Sequence, residues 1–200
     1  MRAEPAAVPR LLLRAEGLPP AHLAGCRSLL AAFRPGLKTA EDEGGLSAAP
    51  CLRARRDENG AYTVSYFTAG ADEPQQTFTL SAADCAHIAS FPRAGREDTG
   101  QILLKRAVSG LMTALTGRVL PWGILVGVRP GKLADIMTER GWPPEEQAAL
   151  LTGVYGVRPD KAALLLETAE RQRPFFAHRR DNPSRAALYI AIPFCPSRCV

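Results

Sequence analysis

Long apolar runs are missing from this 200-residue sequence, although 46% of its residues are hydrophobic and 22% are charged. These fractions are typical of a globular chain and argue against a disordered one. The longest apolar stretch, LYIAIPF at 188–194, is far too short to cross a bilayer. The first residues also lack the apolar core and cleavage site of a secretory signal. The sequence therefore predicts a cytoplasmic protein without a membrane span.

Cysteine and histidine are also scarce, at five and three residues. The cysteines form no evenly spaced framework, which argues against a disulfide-built domain. The three histidines have no partner at metal-ligand spacing. Cys26, Cys51 and Cys85 stand alone among apolar or turn residues and are interpreted as small buried hydrophobic side chains.

Positive charge is concentrated in the second half of the chain. Residues 1–100 carry 11 basic and 12 acidic side chains, net −1, whereas residues 101–200 carry 14 and 8, net +6. The second half should therefore attract an anion. No pattern of interleaved aromatic and basic residues is present, so nucleic-acid recognition is not favoured.

Residues 1–96 are expected to form an α+β domain with a small antiparallel sheet and a helix on one face. DENG at 57–60 ends in Asn-Gly between two strand-like runs, which predicts a hairpin. Its second run, AYTVSYF, alternates as a half-buried strand should. The other predicted elements are a strand at 9–17, a helix at 21–33 and a strand at 76–80.

Residues 97–174 are expected to be helical. The first helix has Gly117 as its stop and the second comprises PPEEQAALLTGVY. The third, RPDKAALLLETAERQR, is expected to end at Pro174. Polar and basic residues at 175–186 predict a linker. The apolar face of the first helix is formed by Leu104, Val108, Leu111 and Leu115.

The segment 187–200 begins with a continuous apolar run and continues into a loop that contains Cys195 and Cys199. Such a run is typical of a strand covered on both faces, and α/β folds place their chemistry at the carboxyl ends of such strands. The C-x-x-x-C spacing suits neither zinc hooks nor thioredoxin-like pairs. It does permit a loop that wraps an iron–sulfur cluster.

The same segment resembles the core motif of radical S-adenosylmethionine (SAM) enzymes of the oxygen-independent coproporphyrinogen oxidase group. The resemblance implies that 187–200 is the first strand of a (β/α) TIM-like barrel. It also implies a third cysteine two positions beyond Val200, so the chain is expected to be an N-terminal fragment. The matching residues are Tyr189, Ile192, Pro193, Phe194, Cys195 and Cys199.

Two further features are similar to one branch of that group, the HemZ-type coproporphyrinogen dehydrogenases. Many members of the wider group have histidine before Ile-Pro-Phe-Cys, whereas this chain has Ala191. The branch also carries a segment like PWGILVGVRPGK at 121–132 upstream of its cysteine loop. The resemblance extends over residues 100–200 and is only general over residues 1–100.

This resemblance implies an oxidoreductase that decarboxylates propionates of coproporphyrinogen to vinyl groups in haem biosynthesis. Cys195 and Cys199 would be ligands of a 4Fe-4S cluster, and Tyr189 would contact SAM. An electron donor of the flavodoxin or ferredoxin type would be required. The fragment by itself is expected to be inactive.

Several alternatives stay open at this point. Tyr189 could be a strand aromatic without a ligand role, and Arg198 could offset cluster charge or be a solvated loop residue. Arg129 and Lys132 follow a glycine before a helix, a geometry suited to an anion or to a purely structural turn. The whole protein could instead be a haem-trafficking homologue without decarboxylase activity, or an RNA-binding accessory module.

Overall fold

One five-stranded sheet organises the first half of the chain. The computed structural model describes residues 10–41, 49–95, 97–127, 129–181 and 190. The strands are β1 (Arg10–Glu16), β2 (Lys38–Glu41), β3 (Cys51–Arg56), β4 (Tyr62–Phe67) and β5 (Gln76–Leu80). They lie in the order β2-β1-β3-β4-β5.

The sheet is mixed, so the prediction of an antiparallel sheet was wrong for its first strands. β1 pairs in parallel with both β2 and β3, while β3, β4 and β5 pair antiparallel. The cause is the helix after β1, which returns the chain to the starting edge so that β2 must run parallel to β1. β2 has only four residues, KTAE, too few for a period of two to be recognised.

The predicted hairpin is confirmed between β3 and β4. The Asp57 amide donates to the Ala61 carbonyl over 3.0 Å, and the Ala61 amide donates to Oδ1 of Asp57 over 2.8 Å. Gly60 has φ 91°, a conformation that side chains other than glycine rarely adopt. The Asn-Gly signal therefore identified this turn by its backbone requirement.

Six α-helices complete the described fold, which is α+β. Asp98 caps the third helix by accepting the Gln101 amide over 2.8 Å, and Gly117 ends it with φ 66°. The helices are α1 (Pro20–Phe33), α2 (Ala82–Ser90), α3 (Thr99–Thr116), α4 (Pro130–Glu139), α5 (Pro144–Ala149) and α6 (Pro159–Asp181). A π-helical turn, Leu150–Val154, follows α5.

A single apolar core joins the sheet to the helices. α3 packs against α1, β4 and β5, and its Leu104 and Leu111 are completely buried. The same cluster of buried side chains continues to Leu151 and Val154 after α5. The core that α3 helps to form therefore extends from the sheet to the helices that follow it.

The predicted end of α6 at Pro174 was wrong. The proline lies inside α6, and 175–181 are helical rather than turn-like. Proline removes one backbone donor, but the surrounding turns retain theirs, and ion pairs lie on the same helix. Arg171 contacts Glu167 at 2.7 Å and Arg173 contacts Glu170 at 3.0 Å.

The predicted first barrel strand lies outside the described residues, apart from Ile190. The remainder of the predicted linker, 182–186, lies outside them as well. The division into 1–96, 97–174, 175–186 and 187–200 stays a prediction.

Candidate functional site

The residues with predicted cofactor roles fall outside the part of the chain that the structure describes. These residues are Tyr189, Cys195 and Cys199. Their roles as a SAM contact and as cluster ligands stay predictions. The described residues can still show whether any other site offers the same ligand chemistry.

Arg129 and Lys132 lie together at the amino-terminal end of α4. Arg129 precedes the first helical residue, and the Lys132 amide donates to the Arg129 carbonyl over 3.1 Å. Both side chains are exposed. The exposed amides of a helix start add partial positive charge to the two cations. The arrangement is compatible with an anion contact, which stays a prediction.

The preceding stretch, PWGIL, is a turn held against the chain that leads into α6. The Ile124 amide donates to the Tyr155 carbonyl over 2.9 Å, and the Arg158 amide donates to the Pro121 carbonyl over 3.0 Å. Gly123 has φ 55°, and a Cβ atom there would lie 2.1 Å from the Tyr155 oxygen. The turn therefore has a structural reason for its glycine.

A half-open cleft of about 460 Å³ lies beside the sheet. It lies between the starts of α1 and α3, the β3–β4 turn and α2. This volume is within the range of small-molecule sites. The polar or reactive side chains that line it are His22, Arg56, Asn59, Tyr62, Cys85 and Thr99.

His22 and Asp98 form a pair at the edge of this cleft. Nε2 of His22 lies 3.2 Å from Oδ2 of Asp98. Desolvation alone would raise the pKa of Asp98, but the Gln101 amide and the nearby His22 lower it below its ordinary value. The carboxylate is therefore the ionised partner, and it favours the histidine tautomer with its proton on Nε2.

The position of the His22 imidazole also depends on the absence of a side chain at Gly100. A Cβ atom on Gly100 would lie 2.6 Å from Cε1 of His22. Nδ1 of His22 is buried and has no hydrogen-bond partner. The His22 ring thus lies between the Asp98 carboxylate and the backbone of Gly100.

The described cysteines do not resemble metal ligands. Burial raises the pKa of the Cys26 thiol to about 12 and also raises that of Cys85, so both stay protonated. Their sulfur atoms lie 3.7 Å from the carbonyl oxygens of His22 and Leu80, respectively. The interpretation of these residues, with Cys51, as buried hydrophobic side chains is confirmed.

Within the described ranges, no group of three or more histidine, cysteine or acidic side chains could hold a metal ion. These residues therefore do not fit an iron–sulfur cluster. The cluster ligands predicted from the sequence, Cys195 and Cys199, lie outside these ranges and stay predictions.

Two polar contacts were not predicted from the sequence. His22 and Asp98 are 76 residues apart, so no local spacing signals their pairing. Lys105 is 4% exposed and donates to Glu97, eight residues earlier across the start of α3. A lysine on the apolar face of a helix is the available signal for a buried partner.

Comparison with known proteins links the chain to one curated relative. It is 35% identical over 89 residues to the "oxygen-independent coproporphyrinogen-III oxidase-like protein HemZ" of Bacillus subtilis (strain 168). The match covers 44% of this chain and 18% of that relative. It supports a relationship to the coproporphyrinogen oxidase-like oxidoreductases and agrees with the resemblance found in the sequence.

No protein-family profile and no solved structure matches the chain. Among the described residues, no helix is both long enough and apolar enough to cross a membrane.

Proposed function

We propose that this chain is the N-terminal part of a radical SAM oxidoreductase of the HemZ-type coproporphyrinogen dehydrogenases. The observation that carries the proposal is the 35% identity over 89 residues to the coproporphyrinogen oxidase-like relative. The cysteine motif at 189–199 also supports it, because its residue types and spacing resemble those of the same group.

In this proposal the chain supplies part of a cluster site. Cys195 and Cys199 would provide two thiolates, with a third cysteine beyond Val200, and Tyr189 would contact SAM. When bound, a 4Fe-4S cluster and SAM together supply the one-electron chemistry that hydrogen abstraction from a propionate side chain requires. The electron would come from a flavodoxin- or ferredoxin-type donor in the cytoplasm.

The described residues contribute charge rather than cofactor ligands. Arg129 and Lys132 are exposed at the positive end of α4, a few residues after the PWGIL turn. We assign them to contact with the carboxylates of the porphyrinogen. Guanidinium and ammonium groups suit this role because carboxylates accept charge-assisted hydrogen bonds from them.

The product of the complete gene, prepared without oxygen, provides the test. We expect stoichiometric bound iron and sulfide, cleavage of SAM, and conversion of coproporphyrinogen propionates to vinyl groups. Cys195→Ala should abolish the bound iron and all turnover. Cys85→Ala is the matched control, because it removes a cysteine that is buried and protonated, and should leave the iron content unchanged.

Two outcomes would contradict the proposal. Iron retained by Cys195→Ala would show that the motif is not the cluster site. Cleavage of SAM without vinyl formation would instead support the haem-trafficking homologue that lacks decarboxylase activity.

A further inference from the structure

The two faces of the sheet differ in chemistry. One face carries Leu11, Leu13 and Val64 and shares its core with α1 and α3. On the opposite face, a small apolar cluster of Leu12, Cys51 and Phe67 lies at one end and includes no residue of a described helix. Beyond this cluster the face is polar, and it is called the arginine face below.

Strand pairing places the side chains of the arginine face in two rows. Because side chains alternate along a strand, residues two apart along it and partners across it share a face. The first row is Arg14, Arg53, Ser65 and Thr77, and the second is Glu16, Arg55, Thr63 and Thr79.

The cations of this face are only partly neutralised within it. Arg14 and Arg53 are direct partners across the parallel β1–β3 ladder, an arrangement that costs free energy because like charges repel. The single carboxylate in the two rows, Glu16, lies 3.8 Å from Nε of Arg14. Three arginines and one glutamate leave a net charge of about +2 on the two rows.

Arg53 is held in place by a ring and lacks a hydrogen-bond partner on Nε. Its guanidinium carbon lies 4.2 Å above the centre of the Phe67 ring. Its Nε is buried without a hydrogen-bond partner in the described structure. A guanidinium oriented by an aromatic ring, with a donor unused, is prepared for an acceptor that is not part of the described fold.

The rest of the two rows consists of hydroxyl groups. Thr63 and Thr79 are 3.2 Å apart through their Oγ1 atoms, and Ser65 Oγ lies 3.0 Å from Thr77 Oγ1. Each hydroxyl can accept as well as donate, so the pairs keep hydrogen-bonding capacity for a ligand. Thr77 and Thr79 are exposed, while Ser65 and Thr63 are partly exposed.

We propose that the arginine face binds single-stranded RNA, an activity separate from the reaction proposed above. Arginine and hydroxyl side chains are the usual contacts to phosphate and sugar, and guanidinium planes can stack on unpaired bases. Serine and threonine hydroxyls offer partners to the ribose 2′-hydroxyl, which favours RNA over DNA.

An acidic protein is the other occupant that the charge could attract. Protein interfaces place buried aromatic or aliphatic anchors at their centre. The two rows contain none, because Phe67 is buried beneath Arg53 and its neighbours Leu12 and Cys51 are buried as well. The surface therefore favours a phosphate backbone over a folded acidic partner.

The test measures fluorescence anisotropy of a labelled RNA of ~16 nucleotides at several salt concentrations between about 50 and 200 mM. Arg14→Ser/Arg55→Ser should weaken binding about tenfold and reduce the slope of log K against log salt by about 1.4, for two lost phosphate contacts. The matched control, Arg171→Ser/Arg173→Ser on α6, removes the same charge elsewhere and should bind within about twofold of the parent.

Arg14→Lys/Arg55→Lys keeps the charge and should retain most of the affinity, which separates lost contacts from lost folding.

Equal weakening by the two serine double variants would overturn the proposal, as would absence of binding at about 50 mM salt. Equal affinity for DNA of the same sequence would overturn the choice of RNA. Stronger binding to poly-glutamate than to RNA would assign the face to an acidic protein. Because none of these measurements uses SAM or porphyrinogen, failure here leaves the proposed oxidoreductase function untouched.

Discussion

The sheet half of the molecule, residues 10–95, and the helical half, residues 120–181, are held together by different kinds of contact. In the sheet half, strand ladders and an alternating apolar face determine which residue lies beside which. In the helical half, the PWGIL turn contacts the chain before α6 through two backbone hydrogen bonds, and glycines permit the approach. One apolar core, to which α3 contributes, includes buried residues of both halves.

This difference explains why the halves should respond differently to substitution. A ladder distributes its stability over many equivalent hydrogen bonds, so a local change is shared among them. A glycine turn concentrates its requirement on one backbone position, where a single methyl group has no space. The shared core nevertheless couples the stability of the two halves.

Leu104→Ala in α3 should produce the largest effect, because this side chain is completely buried in the core that the two halves share. We expect the free energy of unfolding to fall by about 4 kcal/mol. Urea unfolding should be followed by tryptophan fluorescence, which reports Trp122 and Trp142 in the helical half, and by far-UV circular dichroism. The two transitions should coincide and shift together.

The control for Leu104→Ala is Leu164→Ala on α6, where the leucine is 49% exposed and should cost about 1 kcal/mol or less. Separate transitions in the parent protein would show that the halves unfold independently and that α3 does not couple them.

Gly123→Ala should cause the second-largest loss of stability, and it should act on the helical half. An alanine at φ 55° costs about 1–2 kcal/mol, and its Cβ would also displace the Tyr155 carbonyl. The expected total loss is about 3 kcal/mol, measured by thermal or urea unfolding.

Gly131→Ala is the matched control within the same motif. No atom lies within 4 Å of the added Cβ, and the residue is in the first turn of α4. It should stabilise the protein by about 0.5 kcal/mol. Equal destabilisation by both substitutions would contradict the distinction between a glycine required by the backbone and one that is not.

Asp98→Asn should have the smallest effect on the free energy of unfolding. This effect should depend on pH. The lowered pKa of Asp98 means that its stabilising contribution is present above the unfolded-state pKa and is lost as pH falls through the folded-state value. Asparagine still caps α3 but cannot ionise. Its cost at neutral pH should be about 0.5 kcal/mol, discounted because the carboxylate is half exposed.

The measurement for Asp98→Asn is the free energy of unfolding between about pH 6 and about pH 2. The difference between parent and variant should shrink as the solution becomes more acidic. A difference that stays constant with pH would show that the charge of Asp98 contributes nothing to folding.

Local elements were predicted well because their signals lie within a few residues. The β3–β4 hairpin followed from Asn-Gly, and the end of α3 followed from Gly117, since both depend on backbone conformations that glycine favours. β2 and the parallel pairing were missed because four residues carry too little pattern. The helix past Pro174 was missed because one proline weakens a helix without always ending it.

The features of the candidate site also differ in whether local sequence could predict them. The clustering of Arg129 and Lys132 at the start of α4 was foreseeable because the residues are three apart. The His22–Asp98 pair was not, since 76 residues separate its members. The roles of Cys195 and Cys199 as cluster ligands rest on the sequence motif alone and stay predictions.

By itself, the sequence determined the local elements, the concentration of basic residues in the second half, and the relationship to coproporphyrinogen oxidase-like proteins. Residue types and short spacings are enough for these, because each depends on neighbours along the chain. Only the tertiary structure decided that Arg14, Arg53 and Arg55 form one charged surface, although residues 1–100 have a net charge of −1. Strand pairing places one face of every strand side by side, and the sum of charges along the chain contains no information about that face.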